Sequence, residues 1–287
     1  MVNRIAASLA LPDTQACLAA LHALAPTISM AEIRLDMMAS FDLPRLVGEA
    51  PCPLILTCRP PREGGAFQGQ EAERLDILTQ GMDLGCAYID SEWDSLAALA
   101  ARRSSATRLI VSRHWTDHMP SDLWGAYETL RSQTDVVKLV GLAQRPADLL
   151  PIFEFLRRAT SPVIGLAMGN AGRLTRLLAP AFPHCLLTYA APSAAAITAP
   201  GQLSVQEMTE IYHINALSPQ TQIHIHLCAT EASAQAAIEQ NSRMTHGEAI
   251  SIPLLVSAEE VGRLAAGLRA SLPNLTLTFD PALAGTG

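Results

Sequence analysis

The chain has 287 residues, 49% of them hydrophobic and 16% charged, with a mean hydropathy of +0.21. Such a length and apolar content exclude a disordered chain or a disulfide-stapled miniprotein and support one large core or two small ones. Twenty Lys plus Arg against 27 Asp plus Glu give a net charge of −7, so neither nucleic acid nor an anionic membrane surface is expected as a partner.

The first twenty residues carry one arginine, then an apolar stretch broken by Pro12 and Asp13, so no signal peptide is expected. Nowhere do about 18 apolar residues run without interruption, so no membrane span is expected either. The six cysteines (Cys17, Cys52, Cys58, Cys86, Cys185 and Cys228) form no CxxC pair. They fit reduced thiols of a cytoplasmic protein, with neither disulfide nor zinc expected.

Short apolar runs then recur along the chain, at residues 5–9, 32–38, 54–59, 87–93, 108–114, 136–141, 163–169 and 186–191. Each reads as a strand. Helical spacing lies between them, as in Leu75, Leu78 and Met82 after Gly69, or Leu149, Ile152, Phe153 and Leu156 after Pro146. A last helix is expected over 205–217. Eight strand–helix units fit a closed (β/α)8 TIM barrel, with an open doubly wound sheet as the alternative.

In a barrel the chemical groups belong at the C-terminal ends of strands. Glu32, Arg34 and Asp36 alternate along the second run, so period two places all three on one inward face. A structural ion-pair layer is the other reading, above all for Asp36. Arg59 ends the third run with Glu63 just beyond it, His114 ends the fifth, and Arg176 follows the seventh. After the eighth comes a loop over 191–202, rich in Ala, Ser, Thr and Pro and long enough to act as a lid.

Of the twenty basic residues, nineteen are arginine and one, Lys138, is lysine. Arginine keeps its charge, whereas a desolvated lysine can lose its proton and form an imine with a carbonyl. A chance surface survivor would explain the count equally well. The setting of Lys138, in the β-branched run Val136-Val137-Lys138-Leu139-Val140, places it on a buried strand instead.

Six segments stand in a telling order: Glu32-Ile33-Arg34-Leu35-Asp36, Arg59 to Gly65 (R-x3-EGG), Ser112-Arg113-His114, VVKLV around Lys138, Met168 to Arg176 (MGxxGxxTR), and Ala199 to Gln202 (APGQ). Together they resemble type I 3-dehydroquinate dehydratase, a Schiff-base lyase of the shikimate pathway, over residues 4 to about 215. The resemblance implies that Lys138 is the nucleophile and His114 the general acid/base that Glu63 orients. It further implies that Arg176 binds the substrate carboxylate, that Glu32, Arg34 and Arg59 meet ring hydroxyls, and that Thr198 and Gln202 close over the ligand. No metal and no organic cofactor is implied, the partner is a small-molecule substrate, and a homodimer is allowed by analogy. Trp115 and Thr116 depart from the family's pattern after the histidine, and Thr175 and Thr198 stand where serine is usual. A class I aldolase would share Lys138 but has no reason for ExRxD and APGQ. A non-catalytic metabolite-binding barrel is the rival from another class.

Residues 218–287 lie beyond a barrel complete by about residue 217 and read as a separate βαβαβ unit. Its strands are expected at 223–228, 249–256 and 275–279, and its helices at 231–240 and 258–271. The stretch weakly resembles the start of the substrate domain of shikimate dehydrogenase. It holds no second lysine and no GxGxxG turn, and Asp280-Pro281 stand where that family's lysine should follow the last strand. No dehydrogenase activity is expected of it.

Overall fold

In a computed structural model, which describes residues 4–102, 105–197, 201–241 and 248–283, eight parallel strands alternate with helices. The strands are β1 (Ile5–Leu9), β2 (Met30–Arg34), β3 (Leu54–Thr57), β4 (Tyr88–Glu92), β5 (Arg108–Trp115), β6 (Val136–Leu142), β7 (Val163–Met168) and β8 (Thr188–Ala190). The helices between them are α1 (Thr14–Leu24), α2 (Leu43–Glu49), α3 (Glu71–Asp83), α4 (Leu96–Ala100), α5 (Leu123–Leu130), α6 (Leu150–Arg158) and α7 (Arg173–Leu178). Sequential strands pair in order from β1 to β7, and β8 returns to pair with β1. Between β7 and β8 the ring closes through a bridge of Val163 with Cys185, the Val163 N–H donating to His184 and its carbonyl accepting from Leu186. This is a TIM barrel.

Strand interiors such as Ile33, Leu56, Ile89, Leu139 and Leu166 are buried, as expected for parallel strands covered by helices on their outer face. Aspartates start α1, α2 and α5: the side chains of Asp13, Asp42 and Asp122 accept from the N–H groups of Ala16, Arg45 and Gly125, each cap contributing about 1 kcal/mol.

Two local features differ from the expectations. The second strand stops at Arg34, and Asp36 lies in a 3₁₀ turn (Leu35–Met37) because its carboxylate binds Arg34 at both Nε (2.9 Å) and Nη2 (2.7 Å) and also accepts from the Ala66 N–H. The expected helix over 205–217 breaks into a π turn (Glu207–Ile211) and a 3₁₀ turn (Ile214–Ala216), with His213 left-handed at φ 49° between them.

The remaining chain forms β9 (Gln222–Cys228), α8 (Glu231–Asn241), β10 (Ala249–Leu255), α9 (Val261–Ser271) and β11 (Leu275–Phe279), with parallel strands in the order β10-β9-β11. Val261, Leu264, Ala265 and Leu268 of α9 are buried, and α9 packs on α6 so closely that a Cβ on Gly267 would meet Leu150. No helix among the described residues is long and apolar enough to cross a membrane.

Candidate active site

Lys138 is the third residue of β6 and only 4% exposed. Its Nζ donates to Asp90 on β4 (2.6 Å), Glu32 on β2 (3.3 Å) and the Tyr189 hydroxyl on β8 (3.2 Å). The amine therefore occupies the middle of the barrel, gripped from three other strands. Glu32 is fixed in turn by the hydroxyls of Ser8 (2.7 Å) and Thr57 (3.0 Å). Burial would raise the carboxyl pKa of both Glu32 and Asp90, but the facing cations override it and hold both below the usual carboxylate range: Lys138 for Glu32, Arg59 and Lys138 for Asp90. Both are ionised near neutral pH.

A second cluster lies toward the C-terminal mouth. After β3 the chain turns through a 3₁₀ segment (Pro61–Glu63), with Gly64 left-handed at φ 77° and Gly65 pressed so closely on the Arg59 carbonyl that a side chain would collide. That turn brings Glu63 Oε2 to within 2.9 Å of His114 Nδ1, and the same oxygen accepts from the His114 backbone N–H at 3.1 Å. When Glu63 is ionised its carboxylate can only accept, so Nδ1 carries the hydrogen and Nε2 the lone pair. Arg59 Nη1 stands 3.3 Å from the same Nδ1, which in that tautomer has no lone pair to accept from it. Burial, reinforced by the Arg59 and Lys138 cations, lowers the His114 pKa well below its ordinary value, so the ring is neutral and able to accept a proton. Burial pushes the Glu63 carboxyl up to about 7.

Arg59 links the two clusters. Its guanidinium donates to Asp90 (2.8 Å), Glu92 (2.8 Å) and Ser112 (3.0 Å), and its charge is sustained by the first two despite burial. Behind it, Arg74 of α3 is 0% exposed, with Nη1 2.6 Å from Glu92 Oε2 and Nη2 2.6 Å from Glu71.

Arg176 is different. It is 4% exposed on α7, burial alone draws its pKa down to about 10, its Nε has no hydrogen-bond partner, and no carboxylate among the described residues pairs with it. A buried, unmatched guanidinium is costly unless an anion arrives to meet it. Thr175 beside it ties the turn after β7, accepting from the Ala167 N–H (2.9 Å) and donating to Gly172 (2.7 Å).

The structure thus brings together Lys138, Glu32, Arg59, Glu63 and His114, while Arg34 is engaged with Asp36 at their edge. Gln202 is buried where the loop after β8 returns, next to the pairing of Ala191 with Ser204 that closes that loop's base; Thr198 lies outside the described residues. His118, without an assigned role, is exposed and paired with Asp117. Asp90, Glu92, Arg74 and Tyr189 escaped the sequence reading. Asp90-Ser91-Glu92 carries the same period-two alternation of charge as Glu32 and Arg34 and could have been found by it. Arg74 on a helix and Tyr189 in a three-residue strand carry no such signal.

Barrel and centre together define a class, the (β/α)8 proteins that hold a lysine amine among carboxylates inside the ring. The sequence model of the type I 3-dehydroquinases matches residues 5–219, and the chain belongs to that family. It is 32% identical over 206 residues to the bifunctional 3-dehydroquinate dehydratase/shikimate dehydrogenase of Arabidopsis thaliana; the match covers 68% of this chain but only 34% of that protein, so the chain spans about a third of that relative. With the 3-dehydroquinate dehydratase of Desulfotalea psychrophila it shares 32% over 194 residues, covering 63% of this chain and 84% of the relative. In fold, a dehydroquinate dehydratase and shikimate dehydrogenase structure from S. pombe overlays 97% of this chain and 57% of its own, at a TM-score of 0.63 and 21% identity.

Proposed function

We propose that this chain dehydrates 3-dehydroquinate to 3-dehydroshikimate, a step of the shikimate pathway, through an imine on Lys138, and that residues 1–217 carry the whole reaction. The observation that supports this most is the placement of the chain's only lysine: buried at the barrel centre, one strand from a neutral histidine that a buried carboxyl orients.

In this reading the Lys138 nitrogen attacks the substrate ketone, and loss of water leaves an iminium that draws electrons from the neighbouring carbon. His114 takes the proton from that carbon on Nε2 and returns it to the departing hydroxyl, while Glu63 stabilises the imidazolium through Nδ1. Arg176 receives the substrate carboxylate, which supplies the anion its buried guanidinium lacks. Glu32, Arg34 and Arg59 hold ring hydroxyls, with Gln202 and Thr198 closing from the loop after β8. The ionised Asp90 and Glu32 balance the positive charge of the iminium, and no cofactor takes part.

A cytoplasmic setting and a homodimer belong to the same reading; the cysteines are free thiols, and sedimentation would establish the oligomer. The central test is turnover of 3-dehydroquinate, followed by the ultraviolet absorbance of the conjugated enone, together with borohydride reduction and peptide mapping. Enone formation and one ligand mass fixed at Lys138 are expected; enone formation without an adduct would reject the covalent route, and neither would reject the activity.

A further inference from the structure

Tyr189 lies at the middle of β8, 5% exposed, and has no task in the steps above. Its hydroxyl accepts from Lys138 Nζ at 3.2 Å, and the amine stands 4.5 Å from its ring centroid. His114 approaches the centre from β5, on one side of β6; Tyr189 approaches from β8, two strands round on the other side. A phenylalanine would fill the same space, so the packing of the ring does not account for the hydroxyl.

Imine formation needs a group that can both take a proton and give one beside Nζ. When amine meets ketone, the nitrogen must shed a proton and the carbonyl oxygen must gain one. Asp90 and Glu32 are ionised acceptors with nothing to give. The Tyr189 phenol has one donor and one acceptor function, and its burial, together with the Glu32 and Asp90 charges, raises its pKa well above the ordinary value, so it rests neutral.

Building on the Lys138 reading, we propose that Tyr189 is a catalytic residue for making and breaking the imine, passing one proton from the lysine nitrogen to the substrate carbonyl oxygen. The nitrogen lone pair forms the N–C bond as the C=O π pair moves to oxygen. The nitrogen's proton goes to Tyr189 Oη while the phenol's own hydrogen goes to the new alkoxide. The product is a neutral carbinolamine, and the phenol is unchanged. Before the attack Lys138, which donates three hydrogen bonds from Nζ, gives one proton to His114 Nε2. His114 hands that proton to the leaving hydroxyl of the carbinolamine, so that water and the iminium form and the ring is again neutral for the later removal of the carbon-bound proton. Hydrolysis of the product imine runs the same shuttle backwards.

Tyr189→Phe keeps the ring and removes the shuttle. Rapid-quench borohydride trapping with saturating 3-dehydroquinate should slow by at least about 10²-fold, the usual range for one proton-transferring group. kcat should fall with little change in KM, and the isotope effect from deuterium on the carbon that loses its proton should shrink toward unity, because imine formation has become the slow step. Trapping within about twofold of wild type with an unchanged isotope effect overturns the assignment alone. Failure of the wild-type protein to be trapped at Lys138 overturns the Lys138 reading and this assignment with it. If Tyr189→Phe does not fold, the dependence of wild-type trapping on the D2O fraction decides: a curved plot, showing two protons in flight, supports the shuttle, and a linear or flat one rejects it.

Discussion

The barrel and the C-terminal unit use the same parts, parallel strands joined by helices, to different ends. Every charged residue buried as a whole among the described residues lies in the barrel, from Glu32 to Arg176; beyond residue 217 the buried polar residues are Thr221, Ser251 and Ser271, and Glu260 of the C-terminal unit buries a single carboxylate oxygen. The acids of the two units behave differently too. Asp90 grips an amine in the barrel, whereas Asp280 after β11 accepts from the backbone N–H groups of Ala229 and Ala282 and so secures a turn. Buried charge is expensive and persists where chemistry uses it, while apolar stripes persist wherever something must be covered. The C-terminal unit has the second feature without the first.

The contrast is broken most severely at Lys138. Lys138→Arg retains a cation beside Asp90 and Glu32 but cannot form an imine, so turnover should fall by more than about 10³-fold and borohydride labelling should vanish while circular dichroism stays native. Retained turnover would show that the barrel's buried charges serve some other end. His114→Ala should lower kcat by at least about 10²-fold and leave slow trapping at Lys138 intact. A near-normal rate would move proton transfer to another group, with His118 the first to examine.

Arg176→Leu tests whether buried charge is kept for a ligand. KM for 3-dehydroquinate should rise by about 10 to 100-fold, the range for losing hydrogen bonds to a charged group. The ligand-free protein should melt no lower than wild type, since the unmatched cation is gone; a clear drop in melting temperature would mean that the guanidinium stabilises the empty barrel.

The pH dependence sharpens the same point at Glu63. Its carboxyl, at about 7 rather than 4.5, is ionised above that pH and then accepts the Nδ1 hydrogen of His114. As pH falls through about 7 it gains a proton and loosens its hold on the ring, so kcat/KM should decline on the acid side. The folded state binds this proton more tightly than the unfolded chain, so the group's effect on stability grows less favourable as pH rises from 4.5 to about 7. Glu63→Gln should therefore cost about tenfold in activity at pH 8, flatten the acid limb and gain stability there. An unchanged limb would place that titration elsewhere.

The smallest effect on rate is expected from deleting residues 219–287. kcat should stay within about threefold, while solubility or melting temperature drops because α6 and α9 lose their mutual cover, each buried Leu or Val being worth about 1.5–3 kcal/mol. A well-folded truncated barrel without activity would place part of the site in the C-terminal unit.

The sequence told most where a residue's type or period was itself unusual. Short apolar runs placed the eight barrel strands and the three beyond them, because each is brief, apolar and bounded by turns. Lys138 stood out through the arginine count, and its β-branched neighbours placed it on a buried strand. Asp36 was misplaced because its double bond to Arg34 favours a turn over a longer strand, and the break near His213 has no Gly or Pro to announce it. The contact between Tyr189 and Lys138 spans 51 residues and two strands, and only closure of the ring brings them together.

A protease that cuts only after lysine would find one target in this chain, the Lys138–Leu139 bond. That bond lies inside β6, paired with β5 on one side and β7 on the other, so it can be reached only when the ring itself comes apart. Cleavage into two pieces would then count global openings of the barrel and ignore fraying at its rim or in the C-terminal unit. A ligand reduced onto the same nitrogen would erase the target altogether.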